Sequence, residues 1–260
     1  MIKIILFLLL IIFIIILIFL KLNKNNKIEK IYVINLKRRK ERLEIFKKNY
    51  NLSQKLNIIE AIDGNDLDLK QLQNEKIINN ITINQLNKER NYHYELTHKG
   101  SLGCYLSHYK IWKITLENND NIILIYEDDS IFTSITLEEI NNRIKKLPED
   151  WDIYLLINPD FCYAKININN EIYKVKRFFL TNAYIINKKA IEKIFNSNTL
   201  FPIVQQLDSY LSELAIDFNL NIYIHNKNYK FYNQNNNYKS DIQEESLLIL
   251  SYDRYKYKNI

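Results

Sequence analysis

Three consecutive carboxylates, Glu127, Asp128 and Asp129, close an unbroken apolar run from Ile122 to Tyr126. A short apolar run bounded by polar residues reads as a strand buried on both faces, as in a parallel sheet covered by helices. Ligands of open α/β sheets bind just beyond the carboxyl ends of such strands. Acids gathered there repel one another, and a divalent cation offsets that cost. Hard oxygen donors favour Mg²⁺ or Mn²⁺, ions that share their coordination with substrate phosphates. The plain alternative is a strand that ends in a solvated acidic turn, and these residues alone leave both readings open. If strand geometry persists to the end, Glu127 and Asp129 share a face and Asp128 takes the other. If the strand ends at Tyr126, a turn redirects Asp128 inward.

Other residues could serve the same chemistry. Arg38, Arg39 and Arg42 sit in the cluster Lys37 to Arg42, where a strand passes into a helix. The guanidinium fork matches phosphate oxygens. Basic side chains are on the wrong end of a helix dipole there, although a solvated first turn explains them too. Asp63 and Gly64 form a turn after a second strand, with Gly64 expected at positive φ. Gly100 and Gly103 are two of only three glycines in the chain. A chain this poor in glycine keeps it where backbone geometry or close approach demands it. They lead into Ser107 and His108 on an amphipathic helix. His108 reads as a pocket residue or as a hydrogen-bonded core histidine. Asp208 reads as a carboxylate facing a cleft, able to act as general base, or as an exposed helix acid.

Elements must position these side chains. Lys30–Leu36 reads as a first strand, followed by a helix with Leu43, Phe46 and Tyr50 on one face. Leu56–Ile62 is a second strand, and Leu67–His98 a polar, Asn-rich region of surface helices and loops. After the acidic strand come a helix over Leu137–Leu147 and a strand over Trp151–Ile157. Strands follow over Glu171–Leu180 and Ala183–Ile186, then helices over Lys188–Phe195 and Pro202–Phe218. The last strand is Asn221–His225. Strands alternating with helices indicate an α/β sandwich. There is no Gly-rich phosphate loop of the Walker or dinucleotide type.

The 260 residues, 25% charged with net charge +6, suit one sizeable catalytic domain. The basic residues are dispersed, so nucleic acid is not an expected partner. Two cysteines, Cys104 and Cys162, imply no disulfide framework. Ile4–Leu20 is an unbroken apolar run without a small-residue cleavage site after it. At 1.5 Å per residue it reaches roughly the length of a bilayer span. It is expected to be an uncleaved, single-pass membrane anchor over residues 1–21, with a stalk at 22–29, a catalytic domain at 30–242 and a tail at 243–260. Lysines after the run place the large domain in the cytoplasm, whereas sequons at Asn51 and Asn80 suit a lumenal one.

The motifs together resemble glycosyltransferase family 25, which includes lipooligosaccharide sugar transferases and collagen galactosyltransferases. They are Tyr32 to Leu36, Arg38 to Arg42, Ala61 to Gly64, Gly100 to His108 with its Gly-Cys-x-x-Ser-His core, and Glu127 to Asp129, in that order. Thinner echoes are Ala183 to Ile186 with Ala190, Pro202 with Asp208, and Gln234 with Ser240 to Ile242. Lys37 and Ser101 stand where the family often has acids, and the segment between Gly64 and Gly100 matches nothing. The resemblance implies a GT-A type, Rossmann-like α/β/α sandwich with a mostly parallel central sheet. It implies transfer of galactose or glucose from a UDP-sugar to a hydroxyl of a glycan, a lipid-linked glycan such as lipooligosaccharide, or a hydroxylysine-type protein acceptor. It also implies Mn²⁺, or Mg²⁺, held by Glu127, Asp128, Asp129 and Asp241. Asn35, Leu36, Arg38, Arg39, Arg42, Asp63, Gly64, Gly103, Ser107 and His108 would bind the donor, and Asp208 and Asp128 would serve catalysis. The rival readings are a metal-dependent nucleotidyltransferase or phosphohydrolase, and a non-catalytic member of the fold.

Overall fold

The computed structural model describes residues 11–13, 27–132, 135–226 and 232–234. In chain order these form β1 (Lys30–Asn35), α1 (Lys40–Asn49), β2 (Leu56–Glu60), α2 (Leu69–Asn74), α3 (Asn80–Gln85), α4 (Lys99–Asn118), β3 (Ile122–Glu127), β4 (Ser130–Phe132) and α5 (Leu137–Ile144). There follow β5 (Ile153–Leu155), β6 (Cys162–Asn167), β7 (Ile172–Phe178), β8 (Ala183–Asn187), α6 (Lys188–Asn196), α7 (Leu207–Asp217), β9 (Ile222–His225) and β10 (Tyr232–Gln234).

Eight strands form one sheet in the order β2-β1-β3-β8-β5-β9-β7-β6, and β10 pairs with β4 separately. Ile122 to Tyr126 are all buried, because β3 is central and covered on both faces. Period-two alternation divides its side chains between two cores. Ile123 and Ile125, with Tyr32 and Ile34 of β1, pack under α4, α6 and α7. Ile122 and Leu124, with Ile31 and Val33, pack under α1 and α5. The result is the expected three-layer α/β sandwich. The mostly parallel sheet is corrected. The pairs β1–β2, β1–β3 and β5–β9 are parallel. The pairs β3–β8, β5–β8, β7–β9 and β6–β7 are antiparallel. The reversal at β8 brings the start of that strand beside the end of β3, so two different loops meet at one sheet edge.

Several boundaries also shift. The second half of the expected helix over Pro202–Phe218 is helical, but α7 begins only at Leu207. The edge strand β6 escaped the pattern reading because all but its first residue is exposed, leaving no apolar alternation. Ile28 is buried and the Glu29 amide donates to the Ile122 carbonyl, so packing reaches into the expected stalk. A bilayer span needs about 20 apolar helical residues. Among the described residues no helix is long and apolar enough to cross a membrane. Of the run Ile4–Leu20 only residues 11–13 are described, and the rest lies outside the described residues. The expectation of a single-pass anchor through residues 4–20, with its membrane location and membrane partner, is corrected on that finding. Asp241 and the tail 243–260 also lie outside the described residues.

Gly64 is not at positive φ, and no described glycine is. Its role is close approach. A Cβ on Gly64 would lie 2.2 Å from the Lys99 carbonyl oxygen, and one on Gly103 would lie 2.4 Å from that of Ile62. The first turns of α4 therefore rest backbone against backbone on the loop after β2. Ser107 ties the same joint, its Oγ accepting from the Ile62 amide at 2.8 Å and donating to the Gly103 carbonyl at 2.7 Å. Backbone cannot retreat as a flexible side chain can. Gly103→Ala should cost about 2–3 kcal/mol, the upper part of the overpacking range. A thermal scan should show Tm lowered by about 5–10 °C. An unchanged Tm would show that the joint yields.

Candidate active site

The C-terminal ends of β1 and β3, the loop after β2, the start of α4, the segment before β8 and the start of α7 enclose one cleft. Strand β1 lies between β2 and β3, so the chain leaves the two strand ends in different directions, the arrangement that opens a crevice in α/β sheets. Of the residues singled out from sequence, Leu36, Arg38, Arg42, Asp63, Gly64, Ser107, His108, Glu127, Asp128, Asp129 and Asp208 line the cleft. Asn35 lies just behind it, Gly103 is in the α4 joint, and Arg39 faces Glu41 at 3.5 Å outside it.

The strand ends at Glu127, and Asp128 and Asp129 make the turn into β4. The three acids meet three environments. Asp128 turns inward. Its Oδ2 accepts from Asn35 Nδ2 at 2.6 Å, and its Oδ1 faces Arg42 Nη1 at 3.6 Å. Burial nevertheless pushes its carboxyl up to about 6, against the opposing pull of Asn35 and Arg42. Arg42 is thus committed to a carboxylate. Arg38 pairs with Asp63 at 2.6 Å on the more open rim, its side chain 41% exposed.

Glu127 is held by a chain of donors. The Trp112 indole N–H donates to the Tyr184 hydroxyl oxygen at 3.1 Å. That hydroxyl faces His108 Nδ1 at 2.9 Å, and His108 Nε2 faces Glu127 Oε1 at 3.3 Å. An indole only donates. Tyr184 satisfies its own proton by donating to Nδ1, and the proton on His108 Nε2 is then directed at Glu127. Thr181 Oγ1 adds a bond to the same oxygen at 3.3 Å. His108 is fully buried and yet faces the cleft, so its two readings from sequence converge on one position.

Asp129 differs. Its Oδ1 is buried and has no hydrogen-bond partner. Burial first, then Glu127 and Asp128, push its carboxyl up to about 7. The orphaned oxygen lies in the same cleft as Glu127 and Asp128, but among the described residues the three ligand-bearing side chains that converge are Cys104, His108 and Glu127.

Asp208 closes the opposite side. Its Oδ2 accepts from His93 Nε2 at 2.8 Å and from the Leu180 amide at 3.0 Å, and its Oδ1 accepts from the Ser209 amide at 2.7 Å. Burial pushes this carboxyl up, but His93 and the amide bonds outweigh it and hold it below the usual range. Arg90 Nη2 meets His93 Nδ1 at 3.1 Å. A guanidinium only donates, so Nδ1 accepts and the Nε2 proton points at Asp208. Leu180 delivers its amide from φ 74°, a left-handed conformation that costs a branched residue about 1–3 kcal/mol.

Sequence reasoning missed Thr181, Tyr184, His93, Arg90 and Leu180 as parts of this site. The first two lay in an apolar strand context and the next two in the unmatched Asn-rich segment. Only the i, i+4 spacing of Cys104 and His108 offered a signal for Cys104. Asp152 accepts from Lys193 at 2.6 Å and from the Asn221 amide at 2.8 Å, away from the cleft, so it adds no second carboxylate.

Residues 28–218 match the family described as glycosyltransferase family 25 (LPS biosynthesis protein). The chain is similar to a procollagen lysyl hydroxylase and glycosyltransferase of Acanthamoeba polyphaga mimivirus, 30% identical over 183 residues, 65% of this chain and 20% of that protein. It is similar to procollagen galactosyltransferase 1-A of Xenopus laevis, 26% identical over 185 residues, 68% of this chain and 29% of that protein. It thus spans less than a third of the length of these curated relatives. Among solved structures, the apo form of the glycosyltransferase GlyE of Streptococcus pneumoniae TIGR4 aligns over 76% of this chain and 45% of that one, at TM-score 0.38 and 11% identity, too remote to bear on function.

The raised carboxyls have a consequence for stability. Folded Asp128 and Asp129 keep protons over a range where the unfolded chain, with carboxyls near 3.8, has already lost them. Raising pH from about 4 to about 7 therefore favours the unfolded chain through these two groups, and above that window their loss is complete. Asp129→Asn removes one contribution. In chelator, the Tm of Asp129→Asn minus that of the parent should be larger at pH 8 than at pH 5. Equal differences at both pH values would show that Asp129 is not destabilised as an anion.

Proposed function

This chain belongs to glycosyltransferase family 25, and on that premise we propose that it moves a hexose, galactose or glucose, from a UDP-sugar to an acceptor hydroxyl. The procollagen galactosyltransferases among its relatives favour galactose as the sugar and a hydroxylysine-type protein as one acceptor class. The family description favours a glycan or lipooligosaccharide acceptor as the other. The catalytic unit we assign is residues 30–242. The observation that carries the reading is the orphaned, buried Asp129 Oδ1 among three carboxylates in the cleft.

In this reading Asp129 and Glu127 hold Mn²⁺ or Mg²⁺, and Asp128, fixed by Asn35 and Arg42, supports them from behind. When bound, the cation supplies Lewis-acid neutralisation of the charge that develops on the departing diphosphate. Arg38, on the rim, is the guanidinium placed to meet the diphosphate. Asp63 holds it in place meanwhile at 2.6 Å. His108 and Thr181 keep Glu127 oriented, and the polarised chain from Trp112 keeps His108 in one tautomer. Asp208 is the proposed acceptor of the proton lost by the attacking hydroxyl. Its carboxyl is anionic throughout the working range, being held low. A general base must be unprotonated and within hydrogen-bond reach of the proton it takes, and the anionic Asp208 at the cleft wall meets the first condition. His93 and the Leu180 amide fix its direction. A phosphohydrolase would want carboxylates on two neighbouring strands, and Asp152 does not supply the second.

Two experiments test the reading. Hydrolysis of UDP-galactose or UDP-glucose without acceptor should require Mn²⁺ or Mg²⁺ and stop in EDTA. Asp129→Asn should depress kcat with little loss of fold, because the lost charge acts chiefly in the transition state. Full activity in EDTA, or near-parental kcat in Asp129→Asn at limiting Mn²⁺, would overturn the metal assignment. Cleavage of nucleoside triphosphates instead would favour the nucleotidyltransferase reading. Separately, Arg38→Ala should raise donor KM by the cost of a charge-assisted hydrogen bond, about 1.5–3 kcal/mol or roughly 10- to 100-fold. Arg39→Ala, outside the cleft, should leave KM within about twofold. Equal effects of the two would remove Arg38 from the donor site.

A further inference from the structure

The cleft presents a second donor set, which shares Glu127 with the proposed transfer and adds Cys104, a residue that the transfer does not use. Cys104 and His108 are four residues apart on α4, one helical turn, and so project from the same face. Glu127 meets them from the end of β3. One ligand atom from each of the three lies within 4.8 Å of the others, the one such group of His, Cys, Asp or Glu found among the described residues. Cys104 Sγ is 4.0 Å and His108 Nε2 is 3.3 Å from Glu127 Oε1. A tetrahedral ion with metal–ligand bonds of about 2.0–2.3 Å has donor–donor edges of about 3.3–3.7 Å. Small side-chain movements close the difference.

We propose that Cys104, His108 and Glu127 form a site for a borderline-soft divalent ion of the Zn²⁺ type, with its fourth position open to the cleft. One thiolate, one imidazole and one carboxylate form a mixed S, N, O set. Sulfur and nitrogen donors select Zn²⁺ and Co²⁺ over Mg²⁺ and Mn²⁺, which favour oxygen. The surroundings supply a second layer of support. His108 Nδ1 meets the Tyr184 hydroxyl, which Trp112 anchors in turn. Such outer partners fix the ring orientation of metal-binding histidines. On binding, the Cys104 thiol proton is released to solvent. The imidazole proton passes to Nδ1, where the Tyr184 oxygen can accept it, freeing the Nε2 lone pair for the ion.

Glu127 belongs to both donor sets. An ion held by Cys104 and His108 withdraws Glu127 from the oxygen set proposed for Mn²⁺, making Zn²⁺ an antagonist of transfer. That antagonism rests on the glycosyltransferase reading, but the site itself does not, and its test needs no substrate.

The test is titration of the full chain with Co²⁺, followed by absorption. A sulfur-to-cobalt charge-transfer band in the near ultraviolet and the visible d–d bands of a four-coordinate ion should appear, and Zn²⁺ should bleach them. Cys104→Ser should lose the charge-transfer band and bind Co²⁺ at least about tenfold more weakly. Cys162→Ser should keep the band, because Cys162 is buried at the start of β6 and belongs to no such group. Glu127→Gln should keep the charge-transfer band with weakened binding, and circular dichroism should report the fold of each variant. No band at excess Co²⁺, or a band that survives in Cys104→Ser, would overturn the proposal. If the bands form in a chain that turns over no UDP-sugar, the transfer reading fails and the site stands.

Discussion

Mutual repulsion among the carboxylates at the end of β3 is the constraint on which the rest of the cleft depends. Adjacent acids on one short stretch cannot all stay ionised in a partly buried place without compensation. The fold resolves this by giving each a different environment. Asp128 is turned into the protein onto an amide and a guanidinium. Glu127 receives a histidine N–H and a hydroxyl. Asp129 receives nothing on its buried oxygen, and the cost of ionising it is left standing. Uncompensated charge of this kind persists where function needs it, at the expense of stability.

The same economy of donors appears across the cleft. His108 and His93 each accept a hydrogen bond at Nδ1 and direct the proton on Nε2 at a carboxylate, Glu127 in one case and Asp208 in the other. An imidazole fixed this way holds the carboxylate it faces in one orientation. The two pairs come from opposite walls, α4 with β3 and the 90–93 segment with α7. Their carboxylates nevertheless differ in their other partners, since Asp208 collects the Leu180 and Ser209 amides while Glu127 takes the Thr181 hydroxyl. Backbone strain at Leu180 belongs to the same arrangement, because its left-handed turn aims an amide at Asp208.

These positions are only as good as the scaffold behind them. The helix that carries Cys104 and His108 is seated by direct backbone contact at Gly64 and Gly103, with Ser107 bridging the joint. Three glycines in 260 residues, all in the two segments that meet at this contact, show how narrowly the chain uses conformational freedom. Sheet pairing supplies the rest. Ile34 lies beside Glu127, and Tyr126 lies beside Ala183, so both neighbours of β3 deliver a loop to the acidic turn.

The sequence by itself determined the layered α/β class, the buried acidic strand and many of the charged residues that line the cleft. It could do so because those signals are local: apolar run length, carboxylates at a strand end, glycine in a glycine-poor chain. It did not reveal strand direction, since β8 is as continuously apolar as a parallel strand, and periodicity carries no orientation. It did not reveal β6, whose exposed edge lacks an apolar face. Nor could it say that Arg42 faces a carboxylate or that Arg90, His93 and Asp208 stand in line, because those partners are far apart along the chain. The shared roles of Glu127 and the isolation of the Asp129 oxygen were decided by tertiary structure alone. A carboxylate's chemistry depends on the donors and charges that surround it, and only the folded chain brings those within a few ångströms.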